Sequence, residues 1–349
     1  MNARRVIAVF FIISMLFLYV IHQYHKAAGF PDLRGPYLGQ QTPGDSAVVF
    51  APDIVSTGMY TRDLAMTPDG KEIYFCVVVG NHELATIFQT REVNGQWTEP
   101  EVAPFATHPD YRYLEPAISP DGQHFFFVSN QPNSRTGKTE ASDFDIWVME
   151  RTSDGWGDPQ NLGVPVNTDG DEFFPSVTRS GTLYLTRDDP SGKSAIFRSQ
   201  QNADGSYQMP GKLGPVVNHA TSQFNAFVAP NESYLIVPMF GLANSYGATD
   251  YYICFRDSLD NWTGPFNLGP SVNSRSGLEY SPYVSPDGDY FFFMSPKPTK
   301  TLSQKRGALY PLTKEKIWKH FLSPDNGNPN ICWISAKLLS RIKQETENH

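Results

Sequence analysis

Short segments with alternating apolar and polar positions recur along most of the chain, and tight turns separate them. In one unit the apolar segment 115–118 runs into a Ser-Pro-Asp-Gly turn at 119–122 and continues as the aromatic segment 124–128. Proline presets the backbone of a type I turn and glycine relieves its exit, so this order favours a β-hairpin. The pattern predicts many short antiparallel strands.

The hairpin turn recurs five times, and its third residue falls at positions 69, 121, 180, 231 and 287. A repeat of roughly 50 residues is typical of propellers and solenoids. The third and fourth turns lack the full Pro-Asp-Gly sequence, so those units are identified mainly from their outer strands. The turns are Thr67-Pro68-Asp69-Gly70, Ser119-Pro120-Asp121-Gly122, Thr178-Arg179-Ser180-Gly181, Ala229-Pro230-Asn231-Glu232 and Ser285-Pro286-Asp287-Gly288.

Two further strands recur after each hairpin. The segment 143–148 matches 250–255 and 330–334, and the Gly-x-Trp-x-x-Pro-x-x-Leu-Gly segment 155–163 matches 261–269. Each unit therefore supplies four strands, which is the content of a propeller blade. The fifth unit lacks its outer strand, and the segment 47–56 matches the missing one. We expect an all-β protein with one β-propeller of four-stranded blades, closed by this N-terminal strand. Five blades are predicted, or six if a degenerate blade lies within 297–328.

The Pro-Asp-Gly turns, the aromatic strands and the Asp-Ile-Trp strand at 145–147 resemble the WD40-like β-propeller repeat proteins, the PD40 or TolB-like class. The resemblance covers about residues 45–340. It implies an exported propeller of Gram-negative bacteria that acts as a binding or assembly module. The extra N-terminal domain of TolB has no counterpart in this sequence.

The first residues predict export. Val6–Ile21 carries no charge, Arg4 and Arg5 precede it, and Lys26 follows it. We expect residues 1–29 to form a hydrophobic helix that anchors the chain in the bacterial inner membrane by a single pass, with the propeller in the periplasm. A cleaved signal peptide, which would leave a secreted or periplasmic protein, is the alternative. A linker at 30–44, the propeller at 45–340 and a polar tail at 341–349 complete the predicted organisation.

Charge and composition exclude several classes of function. The net charge of −8 argues against nucleic-acid binding, since that requires a positive face. Cys76, Cys254 and Cys332 lie within apolar runs and are expected to be buried thiols. The eight histidines are scattered, so the sequence predicts no metal site and no cofactor. A calcium site on Asp169, Asp171 and Glu172 is a weaker alternative.

Polar side chains at the start of the innermost strands are the candidate site. Alignment on the turns places Thr61, Tyr113, Glu172, Gln223 and Glu279 at one position, and Asp63, Glu115, Phe174, Asn225 and Ser281 two residues later. Side chains two apart in a strand share a face, so we expect carboxylates around a channel mouth, with arginines nearby. A water-filled mouth without a ligand is the alternative. The candidate ligand-binding residues are Arg62, Asp63, Arg112, Glu115, Glu172, Arg187, Asn225 and Glu279, and Arg275 lies nearby.

These observations favour a non-catalytic binding scaffold of the cell envelope that recognises a protein or a small polar ligand such as a glycan. The ligand is expected on the loop-rich face, which is the face of the propeller that carries the long loops and lies opposite the Pro-Asp-Gly turns. A propeller glycoside hydrolase or lyase, with Glu172 and Glu279 as acid and base, is the alternative, although the sialidase box is absent. The basic segment 297–320 is interpreted either as a contact with an anionic surface or as a solvated insertion. Ile317, Trp318 and Phe321 are expected to hold it against the propeller.

Overall fold

The computed structural model describes residues 30–133, 140–141, 143–189, 191–275, 277, 279–296 and 302–348. These residues form five antiparallel sheets arranged as the blades of a propeller. The strands are β1 (Val48–Val49), β2 (Tyr60–Met66), β3 (Glu72–Val79), β4 (Leu84–Val93), β5 (Gln96–Trp97), β6 (Glu101–Val102), β7 (Tyr113–Ile118), β8 (His124–Ser129), β9 (Asp145–Thr152), β10 (Gly155–Trp156), β11 (Gln160–Asn161), β12 (Glu172–Val177), β13 (Leu183–Asp188), β14 (Ser194–Ser199), β15 (Gly211–Lys212), β16 (Ser222–Gln223), β17 (Phe227–Val228), β18 (Tyr234–Phe240), β19 (Thr249–Arg256), β20 (Trp262–Asn267), β21 (Tyr280–Val284), β22 (Tyr290–Ser295) and β23 (Asn330–Ser335).

The blades follow one another along the chain. Blade 1 is β2–β6, blade 2 is β7–β11, blade 3 is β12–β15, blade 4 is β16–β20, and blade 5 is β21–β23 with β1. The outer strand is split into two short pieces in blades 1 and 2, and the inner strand is split in blade 4. The structure confirms the prediction of a five-bladed, all-β propeller.

The N-terminal strand closes the ring as the sequence predicts. Val48 lies opposite Trp333, and Val49 lies opposite Cys332. The backbone N–H of Phe50 extends the pairing by donating to the Ile331 carbonyl oxygen at 2.8 Å. The Phe50 ring is buried and meets Trp333 edge-on, with 5.2 Å between ring centroids. Closure removes an exposed strand edge and fills the core of the last blade.

In blades 2, 3 and 4 an asparagine after the outer strand, Asn167, Asn218 or Asn273, fastens the start of the next connection to the third strand of the same blade. The Asn167 side chain accepts a hydrogen bond from the Ile146 N–H at 3.0 Å and donates to its carbonyl oxygen at 2.9 Å. Asn273 makes the same pair of bonds to Tyr251. A side-chain amide that satisfies both backbone groups of a third strand explains why this residue recurs with the repeat.

The core lies between neighbouring blades. It consists of aromatic and branched side chains, chiefly from the second and third strands, and the largest fully buried ones include Trp333, Tyr184 and Tyr251. The thiols of Cys76, Cys254 and Cys332 are buried, as expected. Burial raises the pKa of the Cys254 thiol to about 12, so this sulfur stays protonated at neutral pH.

Both ends of the described chain differ from expectation. The segment 30–44, expected to be a linker, packs on the propeller: Leu38 is buried, and the Trp97 indole N–H donates to the Gly35 carbonyl oxygen at 2.8 Å. The segment 341–349, expected to be a polar tail, belongs largely to a C-terminal helix. The helices are α1 (Leu302–Leu309), α2 (Lys314–Phe321) and α3 (Lys337–Glu347).

The predicted N-terminal helix lies outside the described residues. Among the helices from residue 30 onward that the structure describes, none combines the length and apolar character needed to cross a membrane.

Candidate functional site

Each innermost strand carries one residue with a left-handed backbone at an equivalent place. The φ angles are 50° at Asp63, 56° at Glu115, 47° at Phe174, 52° at Asn225 and 69° at Ser281. In four of the blades the pairing register of the inner strand shifts at this residue, as at a β-bulge. A non-glycine residue rarely adopts this conformation, and its recurrence in all five blades makes it part of the fold.

Arg62 joins two of these residues at the propeller axis. Its Nε lies 2.7 Å from Asp63 Oδ2, and its Nη2 lies 2.8 Å from Glu115 Oε1. The guanidinium also covers the Tyr280 ring, 4.5 Å from its centroid. All three charged side chains are nearly inaccessible to solvent. Buried charges require partners of this kind, so the arginine and the two carboxylates form one electrostatic unit.

The remaining blades complete the network. The Phe174 N–H donates to Glu115 Oε2 at 2.6 Å, and Asn225 Nδ2 donates to Glu115 Oε1 at 3.2 Å. The Ser281 hydroxyl donates to Asp63 Oδ1. Every blade thus contributes to the contacts around Arg62, Asp63 and Glu115. We call this set, Arg62, Asp63, Glu115, Phe174, Asn225 and Ser281, the axial network. It closes the channel instead of surrounding an open mouth.

The protonation of the axial network follows from its burial. Burial raises the pKa of Glu115 to about 7, and the positive charge of Arg62 opposes this shift. Burial also disfavours the charged guanidinium, but Asp63 and Glu115 outweigh it and hold the pKa of Arg62 above its usual range. Glu115 therefore takes up a proton close to neutral pH, while the arginine stays charged.

Glu172 and Arg187 lie together beneath the connection between blades 2 and 3. Arg187 Nε is 2.7 Å from Glu172 Oε1, and the same oxygen accepts from the Thr168 hydroxyl at 2.7 Å. The other oxygen accepts from the Thr168 N–H at 3.0 Å. Burial raises the pKa of Glu172, and these bonds oppose the rise. The carboxylate fastens an inter-blade loop to the inner strand.

Glu279 plays the same part between blades 4 and 5. Its Oε1 accepts from the Ser274 N–H at 3.1 Å and from the Ser274 hydroxyl at 2.5 Å. Burial raises its pKa to about 7. Glu172 and Glu279 thus belong to separate blade connections, so the structure does not bring them together as an acid and base pair.

Arg112 lies near the loop-rich surface. Its Nε donates to the His82 carbonyl oxygen at 2.7 Å, and its backbone N–H donates to Asn130 Oδ1 at 2.8 Å. It holds a loop of blade 1 against blade 2. Arg275 is exposed. Of the eight candidates from the sequence, the structure brings together Arg62, Asp63, Glu115 and Asn225 and places the other four at separate contacts between blades or with blade connections.

A pocket occupies the axis on the other side of the network and opens among the Pro-Asp-Gly turns. It encloses about 130 Å³ and widens into open solvent at its mouth, so it is smaller than the roughly 300–1,000 Å³ of a typical ligand pocket. Asp63 and Phe174 form its floor, and its walls carry seven prolines and several apolar side chains. The sequence favours a ligand on the opposite, loop-rich face, because the Pro-Asp-Gly turns are short and regular. The walls include Pro68, Pro116, Pro120, Pro175, Pro230, Pro282, Pro286, Leu64, Met66, Ile118, Val177, Phe227 and Tyr283.

The loop-rich face carries the insertion between β22 and β23, which includes α1 and α2. The expectation that Ile317, Trp318 and Phe321 hold this insertion to the propeller is wrong, because all three side chains are more than half exposed. Asn326 and Asn328 hold it there instead, by bonds described below. An amide at a loop end is a weak signal in sequence, whereas a run of aromatic residues invites assignment to a core.

Comparison with solved structures supports the fold and leaves the activity open. A glycoside hydrolase structure is 9% identical with a TM-score of 0.50, and the alignment covers 86% of this chain and 93% of that one. TolB from Acinetobacter baumannii is 16% identical with a TM-score of 0.43, over 68% of this chain and 49% of TolB. Arabinanase Arb43A from Bacillus subtilis is 12% identical with a TM-score of 0.43, over 79% and 94%.

The chain spans about half the length of the TolB structure. No protein-family model matches the sequence, and no curated protein does. At 9% identity the likeness to the glycoside hydrolase structure shows a shared fold alone. The fold and its axial network therefore define the molecule as a five-bladed β-propeller with a closed axis and a small pocket of mixed polarity on one face.

Proposed function

We propose that this chain is a non-catalytic binding propeller of the bacterial cell envelope, and that the axial pocket receives its ligand. The observation that carries this proposal is that both carboxylates at the propeller axis are fully occupied by partners within the protein. Asp63 and Glu115 are bound by Arg62, Ser281, Asn225 and the Phe174 N–H. All four carboxylate oxygens already contact a partner within the protein, which argues against either group acting as an acid or base toward a substrate.

The pocket lining supports binding over catalysis. Asp63 is the carboxylic acid among the described residues that line it, whereas glycoside hydrolysis by the usual route needs two carboxyl groups facing the substrate. Prolines and aliphatic side chains offer a rigid apolar surface, and Asp63, Arg179 and three serines add polar groups to it. An extended peptide has both an apolar side chain and a polar backbone to match this mixed lining, so we favour a segment of an envelope protein as the ligand.

The envelope location is proposed from the sequence. The uncharged run 6–21 follows two arginines, which favours single-pass insertion into the inner membrane with the propeller in the periplasm. Cleavage after this run would give a periplasmic or secreted protein with the same pocket. Either outcome places the pocket where partners in the envelope can reach it.

The test is a binding screen with the full chain in detergent micelles. Labelled extended peptides carrying Leu, Phe, Trp, Lys or Glu at one position are titrated by fluorescence polarisation, beside a panel of glycans. Phe174→Ala removes the aromatic part of the pocket floor and should weaken apolar peptides by at least about tenfold. Phe240→Ala is the matched control, because Phe240 is exposed at the opposite end of β18.

A hydrolysis assay tests the alternative that the chain is a glycoside hydrolase. Aryl glycosides should not turn over with the full chain, and Glu115→Gln should leave this unchanged. Turnover by the wild type that Glu115→Gln abolishes would replace the binding proposal with the hydrolase alternative. Binding unaffected by Phe174→Ala would move the ligand from the axial pocket to the long loops.

A further inference from the structure

Helix α2 turns its apolar side away from the protein. Ile317, Trp318 and Phe321 share one face at helical spacing, and Leu322 follows them. Their exposed fractions are 53%, 61%, 55% and 55%. The Trp318 and Phe321 rings stack on each other, 5.5 Å between centroids. A surface helix normally buries this face, so the reversed orientation needs an explanation.

The least exposed side chains of α2 are polar. Lys316 and His320 are only partly exposed, and Lys316 Nζ donates to the Tyr310 carbonyl oxygen at 3.0 Å. The Thr313 hydroxyl caps the helix by accepting from the Lys316 N–H at 3.2 Å. These bonds within the insertion fix the start of α2 and leave its apolar side chains in solvent.

The end of the insertion is fastened to the connection that leads into blade 1. Asn326 Nδ2 donates to the Gly58 carbonyl oxygen at 2.7 Å and to that of Phe321 at 2.7 Å. Asn328 Nδ2 also donates to Gly58, at 2.9 Å. The backbones approach so closely that a Cβ at Gly58 would lie 2.3 Å from the Phe321 carbonyl oxygen. The apolar face thus has a fixed place on the propeller.

Charge indicates what this face contacts. Arg306, Lys314 and Lys319 are exposed in the two helices of the insertion, which carry the acid Glu315, while the whole chain carries −8. Aromatic and aliphatic side chains bordered by lysine and arginine are typical of helices that lie in the headgroup region of anionic membranes. These positive charges would attract anionic lipid although the chain as a whole is acidic.

The described chain also begins beside the insertion. Phe30 lines a cavity together with Thr57 and Met59, the neighbours of Gly58. The uncharged run 6–21 precedes Phe30 by eight residues in the sequence. Phe30 therefore lies near the connection at Gly58 to which the insertion is fastened.

We infer that α2 is a second membrane contact, with Ile317, Trp318, Phe321 and Leu322 inserted among the headgroups of an anionic bilayer and Lys314 and Lys319 paired with lipid phosphates. This inference rests on the proposed envelope location. Two adjacent contacts hold a protein to a membrane more firmly than one and also fix its orientation.

The experiment reconstitutes the full chain into vesicles of phosphatidylcholine, with or without three-tenths phosphatidylglycerol, containing brominated lipids that quench tryptophan. The difference in quenching between the wild type and Trp318→Phe measures the lipid contact of Trp318 itself, and we call it the Trp318 component. We expect the Trp318 component to be large in vesicles that contain phosphatidylglycerol. Lys314→Glu with Lys319→Glu should weaken it, since each lysine near an anionic surface changes partitioning about fivefold.

The matched control is Lys337→Glu with Lys343→Glu, the same charge change on exposed lysines of α3. It should leave the Trp318 component unchanged. Vesicle association without Trp318-dependent quenching would overturn the second contact while retaining the envelope location; a protein partner or a second copy would then cover the face. Equal quenching in both lipid compositions would overturn the anionic specificity. A chain that stays in solution would overturn both proposals.

Discussion

Replacing Arg62 with methionine tests whether the axial network is the electrostatic unit described above. The guanidinium contacts Asp63 at 2.7 Å and Glu115 at 2.8 Å, and both carboxylates are buried. Charge centres about 4 Å apart attract by about 4 kcal/mol at an effective dielectric constant near 20. Two such pairs are offset by the cost of burying the arginine. Breaking a buried pair by removing one partner costs about 3–5 kcal/mol.

This loss is large enough to measure in two ways. In a domain of this size 1 kcal/mol shifts the melting temperature by about 2 °C, so Arg62→Met should lower it by about 6–10 °C at pH 8. Urea unfolding followed by tryptophan fluorescence should show the same loss in the midpoint. At pH 5 the loss should be smaller, because a carboxyl group without a counter-charge is protonated more readily and then carries no unpaired charge.

A compensated variant separates charge from packing. Arg62→Met combined with Asp63→Asn and Glu115→Gln removes all three charges at nearly constant volume. Buried ion clusters replaced in this way are often neutral in stability, so the triple variant should recover most of the loss. A single Arg62→Met variant that loses less than about 1 kcal/mol at pH 8, or loses as much at pH 5, would refute the electrostatic reasoning.

Three further predictions concern the ring and its carboxyl groups. Phe50→Ala should cost about 3–5 kcal/mol in urea unfolding, because Phe50 is fully buried in the closing blade, and a loss below about 1 kcal/mol would argue against closure as a stabilising feature. Burial raises the pKa values of Glu115 and Glu279 from 4.5 to about 7. The stability that these two groups contribute is therefore complete below pH 4.5 and is lost as the pH rises through 7. The melting temperature should be higher at pH 5 than at pH 8, and Glu279→Gln should make it depend less on pH. Thr168→Val leaves Glu172 without the hydroxyl bond at 2.7 Å and should lower stability by about 1–3 kcal/mol in thermal unfolding, whereas an unchanged melting temperature would contradict the fastening role.

The repeat made most of the fold predictable. Turn residues at regular intervals count the blades, and the unmatched segment 47–56 identifies the strand that closes the ring, as the pairing of Val48 with Trp333 confirms. These signals are local and recur five times, so weak third and fourth turns do not hide them. Residues 30–44 were harder to place, because Leu38 is an isolated apolar residue whose burial depends on a surface formed by distant blades.

The sequence predicted where on the inner strands the candidate site lies, but not which way its side chains point. Alternation in a regular strand would put Glu172 and Phe174, or Thr61 and Asp63, on the same face. The left-handed residue in each inner strand breaks that alternation, so the second member reaches the axis while Glu172 and Glu279 turn under the blade connections. Five different residue types occupy this position and none is glycine. Residue type therefore gives no signal of the positive φ angle.

The axial network also separates the two proposed contact surfaces, which are the axial pocket and helix α2. The insertion joins the second and third strands of blade 5, so α2 lies at the loop-rich end of the propeller. The axial pocket is lined by turn residues such as Pro68, Pro120 and Pro286 and opens at the other end. Between them, Arg62 and Glu115 close the axis. If α2 rests on the bilayer, the pocket opens away from the membrane, and a ligand reaches it from the periplasmic side and not from the lipid. A bound partner would then be held at a fixed distance from the membrane, which is what a scaffold in the envelope requires.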